Sequence, residues 1–287
     1  MCMRLIRCGR LLVPGMVVCL MPIACAPTAE TPVSRRDNIR PYPVDYRNFS
    51  PVDRWLASAP PVVDDAEGSL NPYVLHVIQA YPTDGSYPYH CDFVKKEYDI
   101  YNGVTQDLWY QGRVVAKAYP DGSRCSYCCG LTFELLVRAM KLRNEQAGLP
   151  IDDFNGMDFY DLFNLLQLWY IEGKGDSPQR GIVAYGLGEA IKDFEQARPG
   201  DFCDFSRNNK SGHSVVFIDW VRDDAGRITG MKYFSSNSGG VGYITEYFSD
   251  SGGKLLRNWV RLARVGAIED YKPFDRKAIP RRKAYAP

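Results

Sequence analysis

An α+β fold, with N-terminal helices packed on an antiparallel β-sheet, is predicted from three features of the chain. Apolar residues between 126 and 142 recur at helical spacing. One-sided apolar runs follow at about 156–172 and 182–195. After Pro199-Gly200 the texture changes to short β-rich runs separated by turn clusters. Helices first and strands afterwards is the order of an α+β domain, not of an alternating α/β one. Composition permits it: the 287 residues are 45% hydrophobic, 24% charged and 13% aromatic. That suits one sizeable core and excludes a disordered, collagen-like or polytopic membrane chain. The formal net charge of +1 supplies no broad field for nucleic acid, so no nucleic-acid partner is expected.

Residues 1–25 read as an export signal. Arg4, Arg7 and Arg10 precede the apolar run Leu11 to Ala24, which Pro14 and Pro22 interrupt and which is too short to span a bilayer comfortably. The run ends Pro22-Ile23-Ala24-Cys25, which resembles a bacterial lipoprotein cleavage box with Cys25 as the lipid attachment residue. Pro22 stands where a branched aliphatic is usual, and a plain signal cleaved after Ala26 is the alternative. The expected location is the periplasm or cell envelope, with the membrane reached through a lipid anchor on Cys25. Residues 26–68 carry many prolines and little apolar periodicity, the composition of a tether.

A catalytic domain is expected over 69–270, with its core at 115–266. Asn71-Pro72 opens a helix through Ala80, since Asn caps and Pro suits the first turn. Runs at 107–110 and 113–119 flank Gln111-Gly112 as a hairpin. A long helix starts near Ser126, read as its cap, with Cys128, Leu131, Leu135, Ala139 and Leu142 on one face. Strands are expected at 201–205, 214–221, 228–234, 241–248 and 259–265. The tail, 271–287, is rich in Lys and Arg and reads as a solvated extension.

Nine cysteines face only three histidines, His76, His90 and His213. Removal of the signal leaves Cys91, Cys125, Cys128, Cys129 and Cys203, an odd number in an oxidising compartment, so at least one thiol lacks an intramolecular partner. Cys128 falls in the first helical turn, where unsatisfied amides and the helix dipole favour a thiolate. Gly130 leaves room for a sheet or substrate to approach. His213 opens an apolar strand just after Gly212, and Asn237 ends the next strand, in reach of the distal imidazole nitrogen. The order is a cysteine at a helix start, a histidine at a strand start 85 residues later, then a polar residue on the following strand.

Over roughly residues 115–266 this pattern resembles the papain-like cell-wall cysteine peptidases of the NlpC type and the related CHAP amidases. Tyr127-Cys128-Cys129-Gly130-Leu131 stands where the family carries Asp-Cys-Ser-Gly-aliphatic. Pro199-Gly200-Asp201 matches the stretch that opens the family's sheet. Tyr127 and Cys129 depart from the usual Asp and Ser, and Cys129 competes with Cys128 as nucleophile; the spacing to Gly130 favours Cys128. The resemblance implies a papain-like fold and amide hydrolysis by Cys128, His213 and Asn237, with no metal or organic cofactor. It further implies Tyr119 near the oxyanion site and a peptidoglycan stem peptide or another amide as substrate. Three other readings compete. They are a non-catalytic exported lipoprotein of the same fold, a disulfide oxidoreductase using Cys125-Ser126-Tyr127-Cys128, and a zinc site formed by Cys125, Cys128 or Cys129 with His90 and Cys91. Pairing among Cys91, Cys125, Cys129 and Cys203 stays open.

Overall fold

Ser50 opens the first described helix, α1 (Pro51–Ser58), with a reciprocal cap. Its hydroxyl accepts from the Asp53 N–H at 3.1 Å, and the Asp53 carboxylate accepts from the Ser50 N–H at 3.1 Å. The computed structural model of the protein describes residues 50–91, 100–170 and 177–280. The export signal with Cys25, the tether up to residue 49 and the tail from 281 onward lie outside the described residues. The later part of the expected tether is an integral element of the domain. Val52 and Val62 are buried, and Asp53 pairs with the buried Arg138.

Helix α2 (Asn71–Gln79) begins one residue earlier than a capping Asn71 requires. Leu70 is the cap, and the Asn71 amide reaches across the fold to the Pro199 carbonyl (2.9 Å) and the Asp201 carboxylate (2.8 Å). Strands β1 (Leu108–Tyr110) and β2 (Arg113–Ala116) form the expected hairpin, and Gln111 and Gly112 both adopt positive φ, as a tight primed turn requires. Helix α3 (Cys128–Gln146) is the long expected one. Leu131, Leu135 and Ala139 are fully buried, and the helix packs on α2 and on the strands at 212–222 and 228–237. Helix α4 (Phe159–Trp169) matches the expected segment and is capped by the Asp158–Asp161 pair.

The helix expected at 182–195 is corrected. Helix α5 spans Ser177–Ala184, and the chain then turns at Gly186 into β3 (Gly188–Ile191), a strand at the sheet edge. Strands β4 (Phe202–Ser206), β5 (Gly212–Arg222), β6 (Ile228–Asn237), β7 (Gly240–Tyr247) and β8 (Arg261–Val265) follow the expected positions. All six join in one antiparallel sheet in the order β3-β8-β4-β5-β6-β7, so the fold is α+β as expected.

The sheet is apolar on both faces, and its strands alternate accordingly. Phe202, Val216 and Phe234 meet the helices, whereas Cys203, Phe205, Val215, Phe217 and Tyr233 enter a second cluster with Trp220, Phe248 and Leu255. The Pro199-Gly200-Asp201 turn is a structural joint. Gly200 has φ +97, and a β-carbon there would lie 2.8 Å from the Asn71 side chain; Asp201 takes both prongs of Arg264 at 2.8 Å. The segment after β8 is packed as well, which corrects the expected solvated tail over residues 271–280. Tyr271 meets Arg143, Phe274 packs on Tyr185, Arg276 pairs with Asp161, and Ile279 is buried.

Candidate active site

Two polar staples bring the start of α3 to the sheet. Ser126 is not the helix cap; that position is Tyr127, with an extended backbone and no capping side-chain bond. Instead the Ser126 hydroxyl donates to Ser236 Oγ (2.9 Å), and the Ser236 hydroxyl donates to the Ser126 carbonyl (3.0 Å), with both residues fully buried. One turn on, Thr132 shares a 2.9 Å hydrogen bond with Ser214 and accepts from the Trp169 indole at 3.0 Å. Cys128 lies two residues beyond the first staple, and Asn237 and His213 each lie one residue from a stapled serine. The register of β5 with β6 thus delivers the three predicted residues to one place.

His213 Nε2 and Asn237 Oδ1 are 2.9 Å apart, and the Asn237 amide is itself tied to the Ser235 carbonyl at 2.9 Å. The imidazole packs against Phe205 and Tyr233 and is buried. With Nε2 engaged by an acceptor, Nδ1 is the nitrogen left for the thiol. Cys128 heads α3 half-buried, and its sulfur lies 3.8 Å from that of Cys129.

Two adjacent thiols lie in contact, and their surroundings act on the two sulfurs unequally. The Cys129 S–H bond to its sulfur, then the charge and hydrogen bond of His213 and the Ser214 N–H, hold Cys128 well below the ordinary thiol range despite burial. The same bond to Cys128, burial, and the negative charges of Cys128 and Asp204 push Cys129 up. His213 and the Ser214 amide act on Cys128, so the surroundings favour the negative charge on Cys128 over Cys129. Cys125 is buried in the core, and burial pushes the Cys203 thiol well up.

Tyr119 belongs to an aromatic cluster. Its ring packs on His90 at 4.9 Å and on Tyr101 at 5.2 Å. The tyrosine that interacts with Cys128, Cys91 and Cys129 is Tyr89, whose hydroxyl is pushed up first by burial and then by those sulfurs, and it stays a donor. Residues 88–90 run parallel to 125–127, with the His90 N–H on the Ser126 carbonyl at 2.9 Å and the Ser126 N–H on the Pro88 carbonyl at 3.0 Å. Gly130 admits neither sheet nor substrate but the loop at 102–103: a β-carbon there would lie 2.1 Å from the Gly103 carbonyl oxygen.

Asp204 was not anticipated. It sits buried on β4, in register with Ser214, and the Ser177 N–H at the start of α5 reaches its carboxyl. Burial first, and then the charge of Cys128, push this carboxyl up to about 7, against the lowering pull of Ser177 and His213. An acid in the otherwise apolar run Phe202-Cys203-Asp204-Phe205 was the available sequence signal.

No family model, curated protein or solved structure matches the chain. Among the described residues, no group of three or more His, Cys, Asp and Glu side chains is arranged to hold a metal ion, and Cys125, Cys128, Cys129, Cys91 and His90 do not form one.

Proposed function

We propose that the protein is a cysteine hydrolase of amide bonds with a papain-like arrangement, Cys128 acting as nucleophile, His213 as acid–base and Asn237 as the group that orients the imidazole. The observation that carries this reading is the chain of contacts from the lowered Cys128 thiol through His213 to Asn237 at 2.9 Å. The Cys128 thiolate attacks the carbonyl carbon. The oxyanion meets the Cys128 backbone N–H, which as the first residue of a helix has no intrahelical acceptor. His213 passes its proton to the departing amine, leaving a thioester, and then draws a proton from the water that releases the acyl group.

The substrate proposed is a peptidoglycan stem peptide, on the resemblance of the Cys128, His213 and Pro199-Gly200-Asp201 motifs to cell-wall peptidases and on the export signal with its lipid anchor at Cys25. The test is incubation of purified peptidoglycan with wild type and Cys128→Ala. New soluble fragments, identified by mass, are expected from the wild type alone, and identical product profiles would remove the proposal. A disulfide oxidoreductase is disfavoured by the position of Cys125, which is buried, while the sulfur next to Cys128 is that of Cys129.

A further inference from the structure

We infer that the cavity between the β4–β5 turn and the end of β7 is a carboxylate-binding subsite, which makes the substrate of the Cys128 site an acidic peptide. The inference rests on the hydrolase reading above and names the substrate class of that site. The cavity, of about 480 Å³, is lined by Arg207, Asn209 and Ser211 of the turn, by Thr245 and Glu246 of β7, and by Lys254 of the loop that follows. The Asn208 N–H donates to the Lys254 carbonyl at 2.9 Å, which fixes the turn against that loop.

The hydrogen bonds of the lining leave an excess of donors. Glu246 Oε1 accepts from the Tyr233 hydroxyl (2.6 Å) and from Arg207, and its Oε2 accepts from Arg207 Nε (2.8 Å). Asn209 Oδ1 accepts from the Ser211 N–H (3.1 Å) and hydroxyl (2.7 Å). The side-chain carboxylate and amide oxygens of the lining are therefore all engaged. The Lys254 ammonium, the Asn209 NH2 and the Thr245 hydroxyl have no hydrogen-bond partner among the described residues. Two cations and one anion leave a single positive charge over, and the turn 207–211 adds Lys210 and no acid. Spare donors with one surplus positive charge suit a carboxylate, which brings one negative charge and two acceptor oxygens. A metal cation finds no such match, because the one carboxylate in the lining is already held by Arg207.

The cavity and the imidazole share their walls. Tyr233, whose hydroxyl donates to Glu246, has its ring 5.6 Å from that of His213. Phe205 lies 5.7 Å from the imidazole on one side and 4.9 Å from the Arg207 guanidinium on the other. Ser211 precedes His213 by two residues, so at most about 7 Å separates their Cα atoms. A peptide whose scissile carbonyl meets Cys128 thus needs only about two or three extended residues to bring a carboxylate into the cavity. Lys254 and Asn209 are exposed, so a ligand reaches them from solvent without opening the fold.

The test uses the full-length Cys128→Ala protein and a stem peptide in two forms, with its carboxylates free or converted to methylamides. In calorimetric titration at low salt the free form is expected to bind about fivefold tighter than the methylamide, a preference that shrinks as salt is added. Adding Lys254→Gln, a change at an exposed side chain, is expected to weaken the free form about threefold and to leave the methylamide form unchanged. Equal affinity for the two forms, binding of neither, or equal weakening of both by Lys254→Gln overturns the inference. Binding is read with the nucleophile removed, so the two readings fail separately. A carboxylate preference lost in Lys254→Gln, with no cleavage of peptidoglycan by the wild type, removes the hydrolase reading alone. Cleavage without that preference removes the subsite alone.

Discussion

The middle of helix α3 and its first turn both bury ionisable groups, and they treat them in opposite ways. Around Glu134, every charge is matched. Its carboxylate accepts from the Thr105 N–H (2.7 Å), the Thr105 hydroxyl (2.8 Å), the Tyr81 hydroxyl (2.7 Å) and Arg138 Nε (3.0 Å), and Arg138 goes on to pair with Asp53. This network ties α1, the chain just after α2 and the loop before β1 to the helix. At the first turn, two contacting thiols, an imidazole and a carboxyl share protons unequally. Cys128 is pulled down, Cys129 and Asp204 are pushed up. Burial with charges paired and densely hydrogen-bonded holds a fold together; burial with neighbouring charges that compete for protons creates reactivity.

The sharpest way to break this comparison is to delete one member at each end. Cys128→Ala is expected to abolish hydrolysis, by at least about 10⁴-fold, while changing stability less than a break in the Glu134 network does, because it removes one half-buried sulfur and leaves that network intact. Glu134→Ala reverses the pattern. It takes the shared acceptor from Arg138, Tyr81 and Thr105, leaving Arg138 with Asp53 alone as ion-pair partner, and is expected to cost about 3–5 kcal/mol in urea unfolding, while Cys128 in the folded fraction is alkylated at the wild-type rate. Loss of Cys128 reactivity in folded Glu134→Ala would merge the two regions into one.

A second contrast lies in pH. The Asp204 carboxyl is raised above its ordinary 3.8 to about 7, so the folded protein holds its proton more tightly than the unfolded chain. Stability from this group is complete below the unfolded value and is lost as pH rises through about 7. At about 1.4 kcal/mol per pKa unit over roughly three units, the loss has a ceiling of about 4 kcal/mol. Asp204→Asn keeps an acceptor for the Ser177 N–H and cannot ionise. It is expected to flatten the decline in unfolding free energy between pH 4 and pH 8, and an unchanged slope contradicts the assignment. A smaller effect is expected at the far side of the imidazole. Asn237→Ala removes one hydrogen bond to a group that becomes charged, about 1.5–3 kcal/mol, and should lower kcat/KM roughly 10- to 150-fold with Cys128 still the labelled residue.

Much of this was legible in the sequence where a local pattern carries the signal. The α3 face, the hairpin at Gln111-Gly112 and the five C-terminal strands follow from periodicity and turn residues, and His213 and Asn237 follow from their places at strand ends. What escaped depends on long-range placement. Tyr89 reaches the sulfur through a parallel bridge to Ser126, thirty-seven positions on, which no local pattern encodes. β3 is a strand because β8 offers it an edge, and residues 271–280 pack because Tyr185, Asp161 and Arg143 await them. Ser126 looked like a cap, but the hydroxyl of Ser236 sits nearer than any helix amide needs it.

The central claim is that Cys128, and not Cys129, is the thiolate, held by His213. Its most direct test is iodoacetamide labelling at pH 5, with the modified residue identified by peptide mass, in wild type and His213→Ala. At that pH an ordinary thiol is almost wholly protonated, whereas a paired thiolate reacts about tenfold faster or more, even allowing for its lower intrinsic nucleophilicity. The account predicts rapid modification of Cys128 in the wild type and its loss in His213→Ala. Labelling of Cys129 instead, or equal slow rates in the two proteins, would contradict it.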